Sequence, residues 1–471
     1  MSAQTSRAPV TRPAAAPSAA VRTGRGARPR LALAAIAGCN AMIQLDDPIV
    51  NVALPGLREQ FGLSAVGASW VVNAYLLTFG GLLLLGGRAG DILGRRKVFL
   101  AGVGLFTAAA LLRGIAPSGE FLVAVRAVQG AGAALAAPSG LALVLSMFPQ
   151  GAPRRRAIAV CTAAGAVSTA GGLLLAGALT SLGSWRWVLW LDVPLGVAIL
   201  LAAPFVIEET PRNRGRFDLA GALVSALGAA SLVYGLAQAA ERPWGDPVVA
   251  GAVTAGVGLL VVFGRIERRA AQPIVVPRLF ADRDRLLAYL STLAVPGALI
   301  GTYFFLNQFF QGRHGWSALA AACALLPLPV TMATTVPAVV RLERLVGTKP
   351  LMAGGAVLLA AGNLWLACLD ASDPYVFAVL PALVLLGAGM AACALPPTVL
   401  ATSGLRGSEA GAASSVLNCL QSVGGSIGLA TLVTVSAHTG GASAGMAGGF
   451  ATGAAFAGLA LLAALFLRRS G

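Results

Sequence analysis

The fold is decided by residues 86–97, which read Gly86-Gly87-Arg88-Ala89-Gly90-Asp91-Ile92-Leu93-Gly94-Arg95-Arg96-Lys97. This stretch lies between two apolar runs, Trp70–Leu85 and Val98–Leu112, each close to the roughly 20 residues that cross a bilayer as a helix. So short a linker makes the two helices antiparallel neighbours, and its glycines allow a tight turn. Because short loops rich in Lys and Arg stay inside the cell, the closing basic triplet predicts a cytoplasmic loop.

The composition is that of a polytopic membrane protein. Of the 471 residues, 57% are hydrophobic and only 11% are charged, against about 25% charged in soluble domains. The net charge is +16. The basic residues lie between the apolar runs and not on one amphipathic face, which argues against a nucleic-acid partner. Cysteines stand singly and both histidines fall in expected outside loops, so no metal site is expected. No Walker loop, H-E-x-x-H helix or nucleophile elbow is present, so no enzyme is expected.

A basic tail at residues 1–30, expected to be disordered and cytoplasmic, precedes fourteen apolar segments. The segments are 31–54, 67–86, 97–115, 121–145, 157–181, 187–207, 219–239, 248–264, 286–306, 317–339, 351–369, 376–398, 411–437 and 447–467. With these as spans, both termini are cytoplasmic and 28 of the 34 basic residues lie inside. Five fall in outside loops, namely Arg58, Arg113, Arg186, Arg242 and Arg313. The loop at 265–285 either lies along the inner membrane surface or is an ordinary linker.

Charged residues occur inside two spans, where they are costly and usually functional. Span 1 contains Asp46 and Asp47, and span 4 contains Arg126. At 1.5 Å per residue, Asp46 and Arg126 lie roughly 6–7 Å to the same side of the membrane midplane, so they can meet. Their pair is either a proton-coupled switch or a fixed ion pair that orients two helices. Asp47 points about 100° away from Asp46, so it serves a separate role or lies near the outer vestibule.

Several motifs resemble known transporters. The pattern G-x-x-x-D-x-x-G-R-R-K at 87–97 resembles the cytoplasmic signature of the major facilitator superfamily. Four further motifs resemble its fourteen-span drug/proton antiporter branch. They are L-D-x-x-I-V-N-V-A-L-P from Leu45, W-V-V-N-A-Y from Trp70, R-x-x-Q-G-x-G-A-A from Arg126 and W-R-W-V-L-W-L-D-V-P-L-G from Trp185. P-x-L-F at 277–280 is also similar.

The resemblance implies an all-α polytopic membrane protein with the major facilitator fold, in which two six-helix bundles are joined by two extra central spans. The implied parts are the tail at 1–30, an N-terminal bundle at 31–207, the extra spans and loops at 208–285, and a C-terminal bundle at 286–471. It also assigns roles to residues of this sequence. Asp46 and Arg126 are the proton-coupling candidates, and Gly87, Asp91, Gly94, Arg95 and Arg96 form a cytoplasmic gating loop.

Two positions depart from the branch. The span 5 motif keeps Gly172 and Gly177 but has Leu173 in place of a proline, which puts the kink attributed to that proline in doubt. Asp192 stands where the branch usually has asparagine, and it is either a further proton site or an outer-vestibule acid. Polar residues that could contact substrate are Asn73, Tyr75, Tyr303, Asn307, Gln308, Asn418 and Gln421. The alternative role for each of them is helix packing or an interface.

The expected function is proton-coupled export of a small amphipathic compound, such as an antibiotic, by alternating access. The alternatives are a proton symporter that imports a metabolite and, from another class, a non-transporting membrane sensor. The expected partners are the substrate, protons and the lipid bilayer. No cofactor is expected, with the proton gradient as the energy source. The protein is expected to act as a monomer in the bacterial inner membrane.

Overall fold

The computed structural model describes residues 28–149, 151–210, 219–269, 280–370, 373–403, 407–439 and 442–468. Most of the basic tail, and the loop segments 211–218 and 270–279, lie outside the described residues. The helices are Arg28–Phe61 (α1), Ala65–Leu93 (α2), Arg95–Gly114 (α3), Gly119–Met147 (α4), Ala152–Leu182 (α5), Trp185–Leu189 (α6), Asp192–Val206 (α7), Leu219–Gln238 (α8), Pro247–Arg269 (α9), Arg283–Gln308 (α10), Ala318–Leu325 (α11), Pro327–Val346 (α12), Thr348–Ala367 (α13), Tyr375–Ala378 (α14), Leu380–Thr402 (α15), Gly407–His438 (α16) and Ala442–Leu465 (α17). A π-helical turn, Phe309–Arg313, follows α10.

Each predicted apolar segment falls on these helices, although three of the segments are broken into two pieces. Within the described residues, 12 helices are long and apolar enough to cross a membrane. Helix α1 falls outside that count, since polar residues interrupt its 34 residues. The apolar part of α8, Leu223–Gln238, is shorter than the twelve. Length and composition therefore support twelve spans, fewer than the fourteen expected.

The junction between α2 and α3 is shorter than predicted. Helix α2 continues to Leu93 and α3 begins at Arg95, so the turn is confined to Gly94, with a φ of +106° that favours glycine. The other glycines of the stretch serve packing. A Cβ atom on Gly86 would overlap the carbonyl of Ala134 in α4, and one on Gly90 would lie 3.0 Å from Ser139 Oγ. Small residues thus let α2 and α4 approach backbone to backbone.

Helices α1–α7 form one group and α10–α17 a second, and α8 packs between them. A Cβ atom on Gly81 of α2 would lie 2.7 Å from Ala226 of α8, while Thr434 of α16 donates to the carbonyl of Leu236 in α8 at 2.5 Å. Helix α9 packs against α8, where a Cβ atom on Gly256 would lie 2.6 Å from the backbone nitrogen of Leu232. Helix α8 therefore lies between the two groups, and α9 packs on α8; that the pair forms two extra spans stays a prediction.

The two groups also touch directly, along α2 and α16 and at one end of the molecule. The end that carries Gly94 is here called the loop end, and the opposite one the far end. At the far end, Asn307 of α10 donates to the carbonyl of Asn51 in α1, and Arg58 donates to Gln308. Leu319 N of α11 donates to Ser181 Oγ of α5 at 3.1 Å. These contacts hold the far end closed in this conformation.

Candidate functional site

A buried cluster of charged side chains surrounds Asp46, which is fully shielded from solvent. One carboxylate oxygen accepts hydrogen bonds from Arg113 Nη1 and from the Gln129 amide, the latter at 2.9 Å. The other oxygen accepts from Arg126 Nη1. Gln129 Oε1 in turn accepts from both guanidinium groups at 3.1 Å. Both oxygens of Asp46 therefore have donors, as a buried carboxylate requires.

Arg126 is held by more than its ion pair. Its Nε donates to the carbonyl of Val71 in α2 at 2.9 Å, and its guanidinium lies 4.4 Å from the centre of the Tyr75 ring. A cation over an aromatic face gains further stabilisation when desolvated. The structure thus brings Asp46 and Arg126, expected at one depth, into direct contact. Tyr75, proposed as a substrate contact, forms a wall of this cluster.

Arg113 is the functional residue that sequence reasoning missed. Its assignment to an outside loop is wrong, because it lies in the last turn of α3 and its side chain is fully buried. Besides Asp46, it bonds Asp192 through Nη2 and donates from Nε to the carbonyl of Leu189 at 2.9 Å. The signal was available in the sequence, because the predicted segment 97–115 already contains Arg113. The error was to count its charge with the outside loop.

Asp192 joins the cluster from α7. The helix is interrupted after the short α6 and begins again at Asp192, so this carboxylate lies in the first turn of α7. Its side chain is fully buried, and one oxygen pairs with Arg113. The other oxygen has no hydrogen-bond donor among the described residues. This position makes Asp192 a member of the buried charge cluster, and its role as a proton site stays a prediction.

Asp47 lies at the edge of the cluster and remains partly open. Its side chain is 47% exposed, and its Oδ1 stands 4.0 Å from Arg126 Nη2. The helical spacing puts Asp47 on one stripe of α1 with Asn40, Gln44 and Asn51. Asn51, the last residue of that stripe, contacts the second helical group, since its carbonyl accepts a hydrogen bond from Asn307. The stripe therefore runs toward the seam between the two helical groups.

The charges of the cluster do not balance when every group is ionised. Three carboxylates, on Asp46, Asp47 and Asp192, face two guanidiniums, on Arg113 and Arg126. The fully buried members, two carboxylates and two guanidiniums, balance, so the excess negative charge belongs to Asp47 at the partly open edge, and one bound proton makes the whole cluster neutral. Asp46 has donors on both oxygens, whereas Asp47 and Asp192 each keep one oxygen without a donor among the described residues. Those two carboxyls are the places where a proton fits with the least rearrangement.

The gating-loop residues lie together at the loop end. Asp91, in the last turn of α2, accepts from Arg95 Nε and Nη2 at 3.2 Å and 2.9 Å. Arg95 also donates to the carbonyl of Ala142 in α4 at 3.3 Å. The backbone N–H of Arg96 donates to Glu209 at 3.1 Å. The loop therefore connects α2, α3 and α4 with the segment after α7. Gly87 lies in α2, where a Cβ atom would meet Pro138 at 3.6 Å.

The two span 5 glycines pack against different partners. A Cβ atom on Gly172 would lie 3.1 Å from Leu45 Cγ in α1, beside Asp46. One on Gly177 would lie 2.8 Å from Leu319 Cα in α11, across the seam. Leu173, which replaces the expected proline, is buried inside a continuous α5. Close packing by small residues is therefore retained without the proline.

The remaining candidate substrate residues fall into three settings. Asn307 and Gln308 take part in the far-end contact. Asn73 is fully buried, and its amide has no hydrogen-bond partner among the described residues. Tyr303 is half-buried, while Asn418 and Gln421 of α16 are exposed. Only Tyr75 of the seven is in contact with the charge cluster through the described side chains.

Comparison with known protein families identifies the fold. The family model described as Major Facilitator Superfamily matches residues 36–429. The chain belongs to the major facilitator superfamily. The chain is therefore a membrane transporter of small molecules and not an enzyme.

Curated bacterial relatives of this superfamily member include antibiotic exporters. It is similar to the cephamycin export protein CmcT of Amycolatopsis lactamdurans, with 37% identity covering 94% of this chain and 92% of that one. It is similar to the puromycin resistance protein pur8 of Streptomyces alboniger, with 37% identity covering 86% and 81%. The lincomycin resistance protein of Streptomyces lincolnensis is 32% identical, covering 85% and 83%.

Solved transporter structures share the fold at low sequence identity. A peptide transporter, POT, in complex with sulfate aligns with a TM-score of 0.67 and 14% identity, covering 92% of this chain and 93% of that one. The nucleoside transporter NupG aligns with a TM-score of 0.65 and 12% identity, covering 92% and 98%. At such identities the likeness concerns the fold alone.

Proposed function

We propose that this transporter exports a small amphipathic organic compound, an antibiotic or a similar toxic molecule, in exchange for protons. The export direction is supported by relatives that are named for antibiotic export and resistance and that match this chain over most of their length. The cell membrane of a bacterium is the proposed location, with both termini cytoplasmic and the protein acting as a monomer. The proton gradient supplies the energy, with no cofactor.

The observation that carries proton coupling is the excess carboxylate, Asp47, at the partly open edge of the buried cluster. Because three carboxyls share two guanidiniums, the cluster holds one proton or carries one uncompensated negative charge. The two states differ in how strongly Arg126 and Arg113 are held by their partners. A cluster that switches between them can take up a proton from one side of the membrane and release it on the other.

Alternating access is supported by the way the two groups meet. The far end is closed by contacts between α1 and α10 and between α5 and α11. Transport requires these contacts to open and re-form around a site near the middle of the membrane. The carboxylate of Asp47, on the stripe of α1 that faces the seam, is the acid best placed to sense substrate in that site.

The full span count we propose is fourteen. Helix α8 has 20 residues, which at 1.5 Å per residue reach about 30 Å, the thickness of the hydrocarbon core. Helix α1 contains carboxylates, yet Asp46 is buried and paired, so its charge need not exclude α1 from the membrane. The α8–α9 pair then supplies the two extra spans between two six-span bundles.

The test is drug uptake into everted vesicles energised by a pH gradient, with puromycin, lincomycin and a cephamycin as probes. Wild-type protein should accumulate at least one probe, and an uncoupler should abolish the uptake. Asp46→Asn should abolish it as well, and the charge-free double variant Asp46→Asn/Arg126→Gln should not rescue it. Gradient-driven uptake by the double variant at the wild-type rate would reduce the pair to a structural role. A wild-type protein indifferent to the uncoupler would refute proton coupling.

A further inference from the structure

A narrow apolar slot runs along the outer surface of the second helical group, between α10 and α17. Its volume is about 320 Å³, and its walls include Leu287 and Leu290 from α10, and Leu459, Leu462 and Phe466 from α17. Leu290, Leu459, Leu462 and Phe466 are all exposed. Exposed apolar side chains on membrane-spanning helices face lipid, so the slot opens toward the bilayer.

Glycines explain why a slot forms here. Helices α10 and α16 cross in backbone contact, because a Cβ atom on Gly424 would overlap the Leu293 carbonyl and one on Gly428 would overlap Gly297. Gly424 therefore leaves the floor of the slot without a side chain. Phe456 closes the end of the slot that lies toward the far end of the molecule. There its ring lies 3.0 Å from the position that a Cβ atom on Gly297 would take.

The dimensions of the slot match one lipid leaflet. The α10 wall runs from Leu287 to Ala294, a rise of about 10 Å, and the same helical stripe reaches Arg283 one turn further toward the loop end. The α17 wall, from Phe456 to Phe466, rises about 15 Å. Half of a 30 Å hydrocarbon core is about 15 Å, so an acyl chain from the loop-end leaflet spans the slot from end to end.

The open end of the slot is positively charged. Arg283, at the base of the α10 stripe, and Arg468, just beyond α17, are exposed, and neither forms an ion pair with any described residue. Lys349 is fixed beside them by donating to two carbonyls at the end of α17, at 2.6 Å and 2.9 Å. Two nearby acids offset part of this charge, but the three cations outnumber them, so the net charge stays positive. Asp284 accepts from Arg468 N at 3.0 Å, and Asp282 caps α10.

We infer that this slot binds an anionic glycerophospholipid from the loop-end leaflet, with one acyl chain between α10 and α17 and its phosphate on Arg283 and Arg468. Basic groups between helices at a membrane surface recognise anionic headgroups, and guanidinium matches phosphate geometry. A zwitterionic lipid offers the same chain but places a cation beside the phosphate, so it fits the open end less well. The site is separate from the charge cluster and does not depend on proton coupling.

Native mass spectrometry of the full protein, titrated with phosphatidylglycerol or with phosphatidylcholine of the same chains, tests the inference. Wild-type protein should bind phosphatidylglycerol more tightly. Arg283→Gln/Arg468→Gln should weaken that binding about thirty-fold, from about five-fold per charge, and leave phosphatidylcholine binding unchanged. The control Arg341→Gln/Arg344→Gln, which removes two exposed charges from α12 at the same end, should change it less than three-fold. Ala463→Leu, which fills the floor, should weaken both lipids.

Three results would overturn the inference. Equal binding of the two lipids by the wild-type protein would remove the anionic specificity. An equal loss in the α12 control would make the effect a general surface potential. Unchanged phosphatidylglycerol binding by the slot double variant would place the lipid elsewhere, and that outcome can be read even if Ala463→Leu fails to fold. None of these measurements requires transport, so they stand apart from the test of export.

Discussion

Replacing Arg113 by glutamine should destabilise the protein by about 3–5 kcal/mol, the usual cost of removing one partner of a buried ion pair. The guanidinium is fully buried and contacts both Asp46 and Asp192. Its loss leaves three carboxyls facing Arg126 alone. The neutral glutamine is also too short to make both contacts, so Asp192 loses its described partner.

Replacing Asp192, the partner of Arg113, should destabilise the protein much less. In Asp192→Asn, the amide oxygen still accepts from Arg113, and two carboxylates then face two guanidiniums, so we expect a loss of about 1–2 kcal/mol. The double variant Arg113→Gln/Asp192→Asn restores the wild-type excess of one carboxylate. We expect a coupling energy of about 3 kcal/mol, which exceeds the cost of Asp192→Asn, so the double variant should be about 1–2 kcal/mol more stable than Arg113→Gln alone.

The assay is reversible unfolding in mixed micelles, followed by tryptophan fluorescence and compared at equal protein concentration. Trp190, which donates to the carbonyl of Leu111 at 3.1 Å, reports on this region directly. The control is Arg186→Gln, which removes a cation from the same end. Arg186 donates to the carbonyl of Gly114 at 3.0 Å, so its loss should cost under about 1 kcal/mol. The reasoning would be refuted if Arg113→Gln lost as little stability as Arg186→Gln. It would also be refuted if the double variant were no more stable than Arg113→Gln.

Two further predictions concern the two ends of the molecule. Asp91→Asn removes a partly exposed pair with Arg95, at 2.9 Å, that is worth at most about 1 kcal/mol, so the variant should stay in the membrane while drug efflux falls. Efflux at the wild-type rate and matched expression would mean that the loop only sets topology. Gly177→Leu should reduce efflux at least ten-fold, because its side chain enters the backbone of α11 at Leu319 and hinders far-end closure. Gly171→Leu is the matched control, since that position opens to free space, and equal efflux from both variants would contradict the prediction.

The features predicted from the sequence are those that local pattern determines. Apolar runs gave the helices, and the rise per residue placed Asp46 and Arg126 at one depth, where the structure joins them. Both inferences need only helix geometry and the cost of burying charge. The extent of the helices was less predictable, since α2 runs seven residues past its apolar segment, to Leu93. Hydropathy cannot tell a helix that continues beyond the apolar core from a loop.

The rest of the cluster depends on tertiary packing. Arg113 and Asp192 meet because α3 ends beside the break between α6 and α7, and a Cβ atom on Gly114 would overlap the Trp190 indole there. No spacing in the sequence encodes that approach across 79 residues. The stretch at Gly86–Gly90 shows the same limit, since glycines interpreted as turn residues serve close contact with α4.

A single helix connects the charge cluster with the contact between the two helical groups. In α1, the Asn51 side chain donates to the carbonyl of Asp47 at 2.9 Å, and the carbonyl of Asn51 accepts from Asn307 across the seam. Asn307 also accepts from Gln311 at 2.7 Å, which lies in the π-helical turn after α10. A change of charge at Asp47 therefore acts on a helix segment whose next turn holds the far end closed. Coupling between proton and gate then requires no long pathway, because one rigid turn of α1 belongs to both.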